Sequence, residues 1–262
     1  MLDFSHKTLI MGILNITPDS FSDGGKFNEV DAAIARAKEM VEAGADIIDV
    51  GGESTRPGAE KVELEEELER VTPIIRALRN HLDIPISIDT YKSVVAHEAI
   101  LAGASIINDV WGAKADGQMA DVAAQFQVPI ILMHNRDNKS YGDIILDMIA
   151  DLKESIAICH AAGVTDEQII IDPGIGFAKT YAHNLEVMRR LDEFSVLPYP
   201  MLLGTSRKSF IAKTLELPIE ERMEGTGATV CLGIIKGCKI IRVHDVLEMA
   251  RMAKMMDAMI RT

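Results

Sequence analysis

Residues 42–49, EAGADIID, and residues 101–108, LAGASIIN, repeat one pattern: a helical segment ends, a glycine follows, and a short apolar run finishes in a polar side chain. A third copy, which carries a short insertion, spans residues 161–172. Each glycine lies where a helix would end before the next strand begins. The repeat therefore predicts a chain in which helices and strands alternate.

The same alternation extends over the whole sequence. Apolar runs rich in β-branched residues favour strands and occupy residues 8–16, 46–50, 85–89, 105–110, 129–134, 169–172, 200–205 and 239–244. Segments whose apolar residues recur at three and four positions favour helices and occupy residues 31–43, 63–82, 92–102, 118–126, 144–162, 184–191, 228–236 and 246–260. Eight strands, each followed by a helix, predict an α/β fold, the (β/α)8 TIM barrel, with residues 1–262 as a single domain.

Polar side chains stand at the end of all eight predicted strands. They are Asn15, Asp49, Asp89, Asn108 with Asp109, His134 with Asn135, Asp172, Ser206 with Lys208, and Arg242 with His244 and Asp245. One such residue alone is usually a helix N-cap or a turn residue. Eight of them at the end of a barrel where active sites lie predict a functional site.

Composition and charge exclude several classes of protein. The 262-residue chain has 48% hydrophobic and 26% charged residues, which suits a soluble globular protein with a large core. Its net charge of −13 at pH 7 disfavours nucleic acid and anionic membranes as partners. No apolar stretch approaches the roughly 20 residues that span a bilayer, and the N-terminus lacks the basic region of a signal peptide. We expect a cytoplasmic protein whose odd number of cysteines are reduced.

The first predicted strand leads into a strongly polar loop. Residues 9–25, LIMGILNITPDSFSDGG, pass from an apolar run into turn-forming and hydrogen-bonding residues. Such a loop suits a site for an oxygen-rich substrate better than it serves folding alone. We therefore expect residues 16–30 to form a mobile active-site loop.

Seven ordered motifs resemble those of the dihydropteroate synthase family over nearly the whole chain. They are NITPDSFSDGG (15–25), DVGGESTRPG (49–58), SIDT (87–90), INDV (107–110), DPGIGF (172–177), GTSRKS (204–209) and RVHD (242–245). The resemblance implies a transferase of folate biosynthesis, the target of sulfonamides. It implies condensation of 6-hydroxymethyl-7,8-dihydropterin diphosphate with p-aminobenzoate, which gives 7,8-dihydropteroate and diphosphate.

The resemblance further implies that the pterin lies in the barrel mouth against Asp89, Asn108, Asp172 and Lys208. Adjacent N–H donors on the pterin edge suit a carboxylate, whereas its ring acceptors suit an amide and an ammonium group. Arg242 would place its planar guanidinium over the pterin ring.

A diphosphate site with one magnesium contact is also implied by the resemblance. Asn15, Arg242 and His244 would meet the diphosphate, and Asn15 would be the protein ligand of Mg²⁺, which keeps several waters. Arg242 and His244 alternate along one strand and therefore share a face. We expect an SN1-like reaction in which Asp89 and Asp172 stabilise the pterin cation after diphosphate departs. The expected catalytic residues are Asp89, Asp172, Lys208, Arg242 and His244.

A second polar loop, residues 51–63, resembles the p-aminobenzoate loop of the family and is expected to be mobile. Its glycines at 51, 52 and 58 would supply backbone freedom. The p-aminobenzoate contacts that the resemblance implies are Thr55, Arg56, Pro57, Phe177 and Ser206. The family forms dimers through its late helices, so the resemblance implies a homodimer.

Two other functions are open to a pterin-binding barrel. A corrinoid-linked methyltransferase domain would bind methyltetrahydrofolate and would not need Asn15 or the pair of Arg242 and His244. A catalytically silent pterin-binding paralogue is expected to have lost Asp89 or Lys208, which this chain retains. Diphosphate release that depends on p-aminobenzoate and Mg²⁺ would distinguish the three.

Several residues are not assigned by the sequence. Trp111, Met133 and His134 follow or end predicted strands, and each could pack in the core or contact a ligand. Asp109 could cap the next helix. The glutamates of residues 60–69 are expected to face solvent at a helix start, where acidic side chains are favoured.

Overall fold

The structure, a computed structural model, describes residues 2–16, 25–54 and 61–260. Its strands are β1 (Leu9–Asn15), β2 (Ile47–Gly51), β3 (Ile86–Asp89), β4 (Ile106–Asp109), β5 (Ile130–Met133), β6 (Ile169–Asp172), β7 (Leu202–Leu203) and β8 (Ile240–Val243). Its α-helices within these ranges are α1 (Gly25–Glu42), α2 (Leu64–Arg79), α3 (Ser93–Ala102), α4 (Met119–Phe126), α5 (Ile144–Ala162), α6 (Tyr181–Arg189), α7 (Ser209–Leu215), α8 (Met223–Ile235) and α9 (Val246–Ile260).

The strands form one parallel eight-stranded sheet in the order β6-β5-β4-β3-β2-β1-β8-β7. A parallel bridge between Ile171 and Met201 joins β6 to the start of β7 and closes the sheet into a barrel. Helices connect consecutive strands on the outside. The predicted (β/α)8 TIM barrel is therefore confirmed.

The predicted strands all form; β6 has the predicted boundaries, and the boundaries of the others differ by at most two residues. The helices differ more. Helix α7 was not predicted, because its seven residues are too few to repeat an apolar spacing. Helix α1 begins at Gly25 rather than at residue 31, so residues 25–30 of the expected first loop belong to a helix.

The repeated glycines end helices as predicted. Gly103 follows α3 with a φ of 122°, and Gly163 follows α5 with a φ of 97°. These left-handed conformations cost a residue with a Cβ atom energy but suit glycine. The chain can therefore reverse sharply into β4, and after a short insertion into β6, as the repeat in the sequence indicated.

Two apolar layers stabilise the barrel. The outer layer lies between the strands and the helices, and the inner layer fills the N-terminal half of the barrel with Leu9, Met11, Ile47, Ile106, Ile131, Ile170, Leu202 and Ile240. Leu2 and Phe4 pack against the inner layer. Each buried aliphatic side chain contributes about 1.5–3 kcal/mol of transfer free energy.

The inward-facing positions become polar toward the C-terminal ends of the strands. Because side chains alternate along a strand, Ile47 and Asp49 share the inner face of β2, and Ile170 and Asp172 share that of β6. The apolar half therefore serves as a floor, and the polar half opens as the barrel mouth.

None of the helices in the described ranges is both long and apolar enough to cross a bilayer. Cys159, Cys231 and Cys238 are free thiols, and the first and last are buried. Burial raises the pKa of the Cys159 thiol to about 12, so it stays protonated and unreactive near neutral pH.

Candidate active site

Arg242 crosses the barrel mouth and joins two carboxylates. Its Nε atom donates to Oδ2 of Asp49 at 2.6 Å, and its Nη2 atom donates to Oδ2 of Asp89 at 2.6 Å. Burial alone would lower the pKa of Arg242, but Asp49 and Asp89 raise it above its ordinary value. The guanidinium is therefore a fixed positive charge between β2, β3 and β8.

Asp89 keeps one carboxylate oxygen available. Its Oδ1 atom is buried and has no hydrogen-bond partner among the described residues. Burial raises the pKa of Asp89 above its ordinary value, and Arg242 opposes this shift. An acceptor of this kind costs free energy in an empty site and is satisfied when a ligand donates to it or brings positive charge.

Asp49 is the central acceptor of this arrangement. It is fully buried and accepts from Ser87 Oγ at 2.5 Å and from Asn108 Nδ2 at 3.2 Å, besides Arg242. Asp49 thereby fixes the orientation of both Arg242 and the amide of Asn108. The sequence placed Asp49 at a strand end but did not predict this role, because its partners are distant in the sequence.

Asp172 ends β6 on the opposite side of the mouth. It is 6% exposed, and its Oδ1 atom accepts the backbone N–H of Gly174 at 2.7 Å. Burial raises the pKa of this carboxyl group, and the nearby Lys208 ammonium opposes the shift. A Cβ atom on Gly204 would lie 4.0 Å from Asp172 Oδ2 and 3.9 Å from Arg242 Cβ, so Gly204 lies between these two residues.

Lys208 reaches the mouth from the segment after β7. Its ammonium donates to the carbonyl oxygen of Ile175 and lies 4.7 Å from the centre of the Phe177 ring. Gly176 permits this path, because a Cβ atom there would lie 3.0 Å from Cδ of Lys208. Burial lowers the pKa of Lys208 to about 8, although Asp172 opposes the shift.

Two side-chain pairs connect the segments after β7 and β8. Ser206 Oγ lies 2.9 Å from Nδ1 of His244 and accepts the backbone N–H of that residue at 3.1 Å. Next to it, Arg207 forms a bidentate ion pair with Asp245. His244 and Ser206, predicted separately for diphosphate and p-aminobenzoate, therefore lie in one hydrogen-bonded unit.

Asn15 lies at the rim of the mouth, at the end of β1, and its side chain is exposed. A Cβ atom on the adjacent Gly51 would lie 3.8 Å from Asn15 Oδ1 and 3.7 Å from Asp89 Oδ2. The amide oxygen of Asn15 is thus open to a ligand beside the Asp89 carboxylate. In the described ranges, no group of three His, Cys, Asp or Glu side chains is arranged to hold a metal ion.

Lys92 forms hydrogen bonds with residues at both ends of the second polar loop. Its ammonium donates to Oε2 of Glu53 at 2.6 Å, to Oε2 of Glu67 at 2.5 Å and to the carbonyl oxygen of Val62 at 2.7 Å. Glu67 is 1% exposed, so the expectation that all glutamates of residues 60–69 face solvent is wrong for this residue. Its burial is possible because the ammonium group balances its charge.

Gly52 is required for close packing. A Cβ atom there would lie 2.6 Å from Cγ1 of Val71 on α2. Its carbonyl oxygen accepts from Nη1 of Arg70 at 2.8 Å. Close packing against α2 is therefore sufficient reason for glycine at this position, and the expected backbone freedom stays a prediction. The predicted contacts Thr55, Arg56 and Pro57 lie outside the described residues, as do residues 17–24 of the first loop.

The residues that the sequence left open now have positions. Met133 ends β5 on the inner face, because Ile131 two positions before it belongs to the inner layer. His134 faces outward, with Nε2 2.9 Å from Oδ2 of Asp151 on α5. Asp109 accepts the backbone N–H groups of Trp111 and Ala113 at 2.8 and 2.6 Å, which is a structural role.

Lys179 is a buried lysine that the sequence did not predict. It is 5% exposed and lies behind the turn that follows Asp172. The signal was weak, because a lysine next to threonine in a polar segment is usually exposed. The ion pair of Arg207 with Asp245 was missed as well, since nothing in the sequence links the two residues.

Comparisons with known proteins agree with this geometry. Residues 11–244 match the family of pterin binding enzymes. The dihydropteroate synthase of Bacillus subtilis (strain 168) is 63% identical over 259 residues, covering 99% of this chain and 91% of that protein. That of Clostridium beijerinckii is 60% identical over 260 residues, covering 99% of this chain and 97% of that protein.

Solved structures show the same fold over the full length. A dihydropteroate synthase from Clostridium difficile, solved in the presence of pteroic acid, has a TM-score of 0.98 and 52% identity and covers 100% of both chains. That of Xanthomonas albilineans with 4-aminobenzoic acid has a TM-score of 0.93 and 38% identity and covers 100% of this chain and 96% of the other. The chain therefore belongs to the dihydropteroate synthase family of pterin binding enzymes.

Proposed function

We propose that this chain condenses 6-hydroxymethyl-7,8-dihydropterin diphosphate with p-aminobenzoate to give 7,8-dihydropteroate and diphosphate in folate biosynthesis. The observation that carries the proposal is the polar mouth of the barrel. Asp172, Asn108 and Lys208 converge there, and Asp49, Asp89 and Arg242 complete the set of polar groups.

The pterin edge fits the donors and acceptors of these side chains. Asp172 retains acceptor capacity beyond the single N–H of Gly174, so it can receive the adjacent N–H donors of a pterin. The amide of Asn108, oriented by Asp49, and the ammonium of Lys208 can serve the ring acceptors. The relative solved with pteroic acid supports a pterin ligand in this fold.

The leaving group fits the rim. Asn15 has an exposed side chain with an amide oxygen. Arg242 on β8 and His244 directly after β8 supply donor groups. We infer that Asn15 holds Mg²⁺ as its one protein ligand. When bound, the ion would neutralise diphosphate charge and make diphosphate a better leaving group.

The reaction begins, in this proposal, with cleavage of the C–O bond between the pterin methylene and the diphosphate. Both bonding electrons leave with diphosphate, and the cation is delocalised into the electron-rich dihydropterin ring. Asp172 and the Oδ1 atom of Asp89, which has no hydrogen-bond partner in the part of the chain that the structure describes, provide negative potential for that cation. The neutral amine of p-aminobenzoate then attacks the methylene, and the released diphosphate accepts the proton.

The second substrate fits between Phe177 and the segment after β7. We infer that the Phe177 ring packs on the aryl ring and that the backbone at Ser206 receives the carboxylate, with Thr55, Arg56 and Pro57 completing the contacts. The relative solved with 4-aminobenzoic acid supports p-aminobenzoate as a ligand of this fold. So does the relative from Yersinia pestis solved with a sulfonamide drug, which has a TM-score of 0.92 and 40% identity and covers 98% of this chain and 96% of the other.

The experiment that tests the proposal is an assay of diphosphate release by the purified chain. We expect release to require both p-aminobenzoate and Mg²⁺, to yield 7,8-dihydropteroate by mass, and to be competitively inhibited by a sulfonamide. No release, or methyl transfer from methyltetrahydrofolate instead, would refute it. The ionisation step has its own test, which is positional isotope exchange in labelled pterin diphosphate without p-aminobenzoate; complete absence of exchange would contradict a reversible ionisation.

We also propose a cytoplasmic homodimer. Apolar side chains at the end of α8 and of α9 are exposed, with Ile235 59%, Met255 59% and Met259 58% accessible. Patches of this kind are typical of subunit contacts. Free rather than disulfide-bonded cysteines support a reducing compartment. Sedimentation at micromolar concentration is expected to give twice the chain mass, and a monomer would refute the dimer.

A further inference from the structure

A buried lysine lies directly behind the turn that carries the substrate contacts. The ammonium of Lys179 is 3.0 Å from Nδ1 of His134, 2.9 Å from the carbonyl oxygen of Gly174 and 3.0 Å from that of Phe177. An ammonium group has three N–H donors, and these three acceptors use all of them. Lys179 is therefore bound in one defined position.

His134 is held in the form that accepts from Lys179. Its Nε2 atom lies 2.9 Å from Oδ2 of Asp151, which can only accept, so the ring proton resides on Nε2. Nδ1 is then a free acceptor that points at the ammonium. Burial lowers the pKa of His134 to about 4, so the ring is neutral at physiological pH.

The turn itself has a backbone that requires support. Gly174, Gly176 and Ala178 have φ angles of 64°, 92° and 48°. Positive φ is unfavourable for alanine and persists where surrounding contacts impose it. A Cβ atom on Gly174 would lie only 2.1 Å from the carbonyl oxygen of His134, so the turn is pressed against the end of β5. Lys179 binds two carbonyl groups within this strained segment.

The supported turn presents two groups to the barrel mouth. The carbonyl oxygen of Ile175 receives the ammonium of Lys208, and the ring of Phe177 lies 4.7 Å from the same ammonium. Lys179 binds the carbonyl group of Phe177 itself. By contrast, the backbone of Asp172 is held by the sheet, where it pairs with Met133 of β5 and its carbonyl oxygen accepts the N–H of His134 at 2.8 Å.

We propose that Lys179 is a positioning residue, which holds the 174–177 turn so that Phe177 lies where p-aminobenzoate requires it. The identity of the affected ligand rests on the proposed function. Because Lys179 binds the carbonyl group of Phe177 directly, whereas the backbone of Asp172 is held by β5, loss of Lys179 affects p-aminobenzoate more than the pterin diphosphate.

The test compares Lys179→Met with wild type and with Lys153→Met, which makes the same change at an exposed lysine of α5. We expect Lys179→Met to raise the KM for p-aminobenzoate about tenfold while kcat at saturation and the KM for pterin diphosphate change less than about threefold. Hydrogen exchange adds a readout without catalysis: the amide of Phe177, which donates to Gly174 at 3.1 Å, is expected to exchange faster in Lys179→Met only.

Asp151→Asn is the second variant, in case Lys179→Met does not fold. An asparagine can donate to Nε2 of His134 and so move the ring proton to Nδ1, which would repel the Lys179 donors. The same KM split, in smaller amount, is expected. Loss of kcat or thermal stability with both KM values and the exchange rate unchanged would overturn the proposal. If wild type and Lys153→Met themselves release no diphosphate, the proposed function fails, and the exchange experiment still decides the role of Lys179.

Discussion

Asp89 accepts a hydrogen bond from Arg242 through one carboxylate oxygen, while its second oxygen is buried without a partner among the described residues. Such a half-satisfied carboxylate is costly in the empty protein. It is useful when a positive charge develops beside it, because no reorganisation is then needed. The mouth of the barrel thus holds negative potential prepared for a cation.

The first prediction concerns Asp89→Asn. The amide can still accept from Arg242, so the fold is expected to survive, but the negative charge is lost. We expect kcat to fall about 100-fold with a smaller change in the KM values, since the charge acts mainly on the cationic transition state. Steady-state kinetics with both substrates varied would measure this. A fall in binding with kcat retained would contradict an electrostatic role for Asp89 in the reaction.

The neighbouring Asp109→Asn is predicted to have the opposite profile. Asp109 accepts two backbone N–H groups and faces away from the mouth, and burial raises its pKa to about 6. An amide can retain only part of these bonds, so we expect a loss of about 1–3 kcal/mol in the free energy of unfolding. Urea unfolding would measure this loss. Kinetic constants are expected to stay within about threefold of wild type, and a large KM change would show a ligand contact instead.

Lys92 provides a stability prediction. Its ammonium balances Glu53 and the buried Glu67, so Lys92→Met leaves carboxylates uncompensated in the interior. We expect a loss of about 3–5 kcal/mol, the usual cost of breaking a buried ion pair from one side. Thermal and urea unfolding of Lys92→Met, Glu67→Gln and the double variant form the cycle. The double variant is expected to recover part of the loss, and strictly additive effects would contradict the coupling.

Activity is predicted to fall as the pH rises above neutral. Burial lowers the pKa of Lys208 to about 8 and that of Lys179 to about 7, and the protonated form of each makes the contacts described above. We therefore expect kcat/KM to decrease between about pH 7 and pH 9. A profile that stays flat to about pH 9.5 would be inconsistent with either lysine acting as a cation at the lowered pKa.

Stability is expected to move in the other direction over this range. Unfolded lysine has a pKa of about 10.4, so between about pH 8 and pH 10 the unfolded chain binds more protons at these two residues than the folded chain does. Their contribution to the free energy of unfolding therefore rises with pH. Urea unfolding at pH 7 and pH 9, compared with Lys179→Met, separates the loss of activity from unfolding.

The sequence predicts the barrel and most of its mouth for one physical reason. Strand residues alternate, and all parallel strands end on one side, so a polar residue at each strand end must join a common site. Asp89, Asn108, Asp172 and Arg242 were found in this way. The helix ends at Gly103 and Gly163 followed from a conformation that glycine adopts readily.

What the sequence did not predict depends on contacts between distant segments. Asp49 orients Arg242 across 193 positions of the chain, and Lys92 binds Glu67 from 25 positions away. Neither pairing has a local signature. Asp49 and Arg242 lie on different strands, and an acidic residue at a helix start, such as Glu67, is usually solvated. Lys179 was missed for the same reason, because only the fold places it behind the turn of residues 174–177 and against His134.

The central claim is that the polar mouth of the barrel is a pterin site whose main acceptor is Asp172. It is tested most directly by the dissociation constant of 6-hydroxymethylpterin, measured by fluorescence titration for wild type, Asp172→Asn and the buried control Asp109→Asn. An asparagine would present N–H donors to the donors of the pterin. We predict binding about 100-fold weaker for Asp172→Asn and within about threefold of wild type for Asp109→Asn. Equal affinity in all three proteins would contradict the claim.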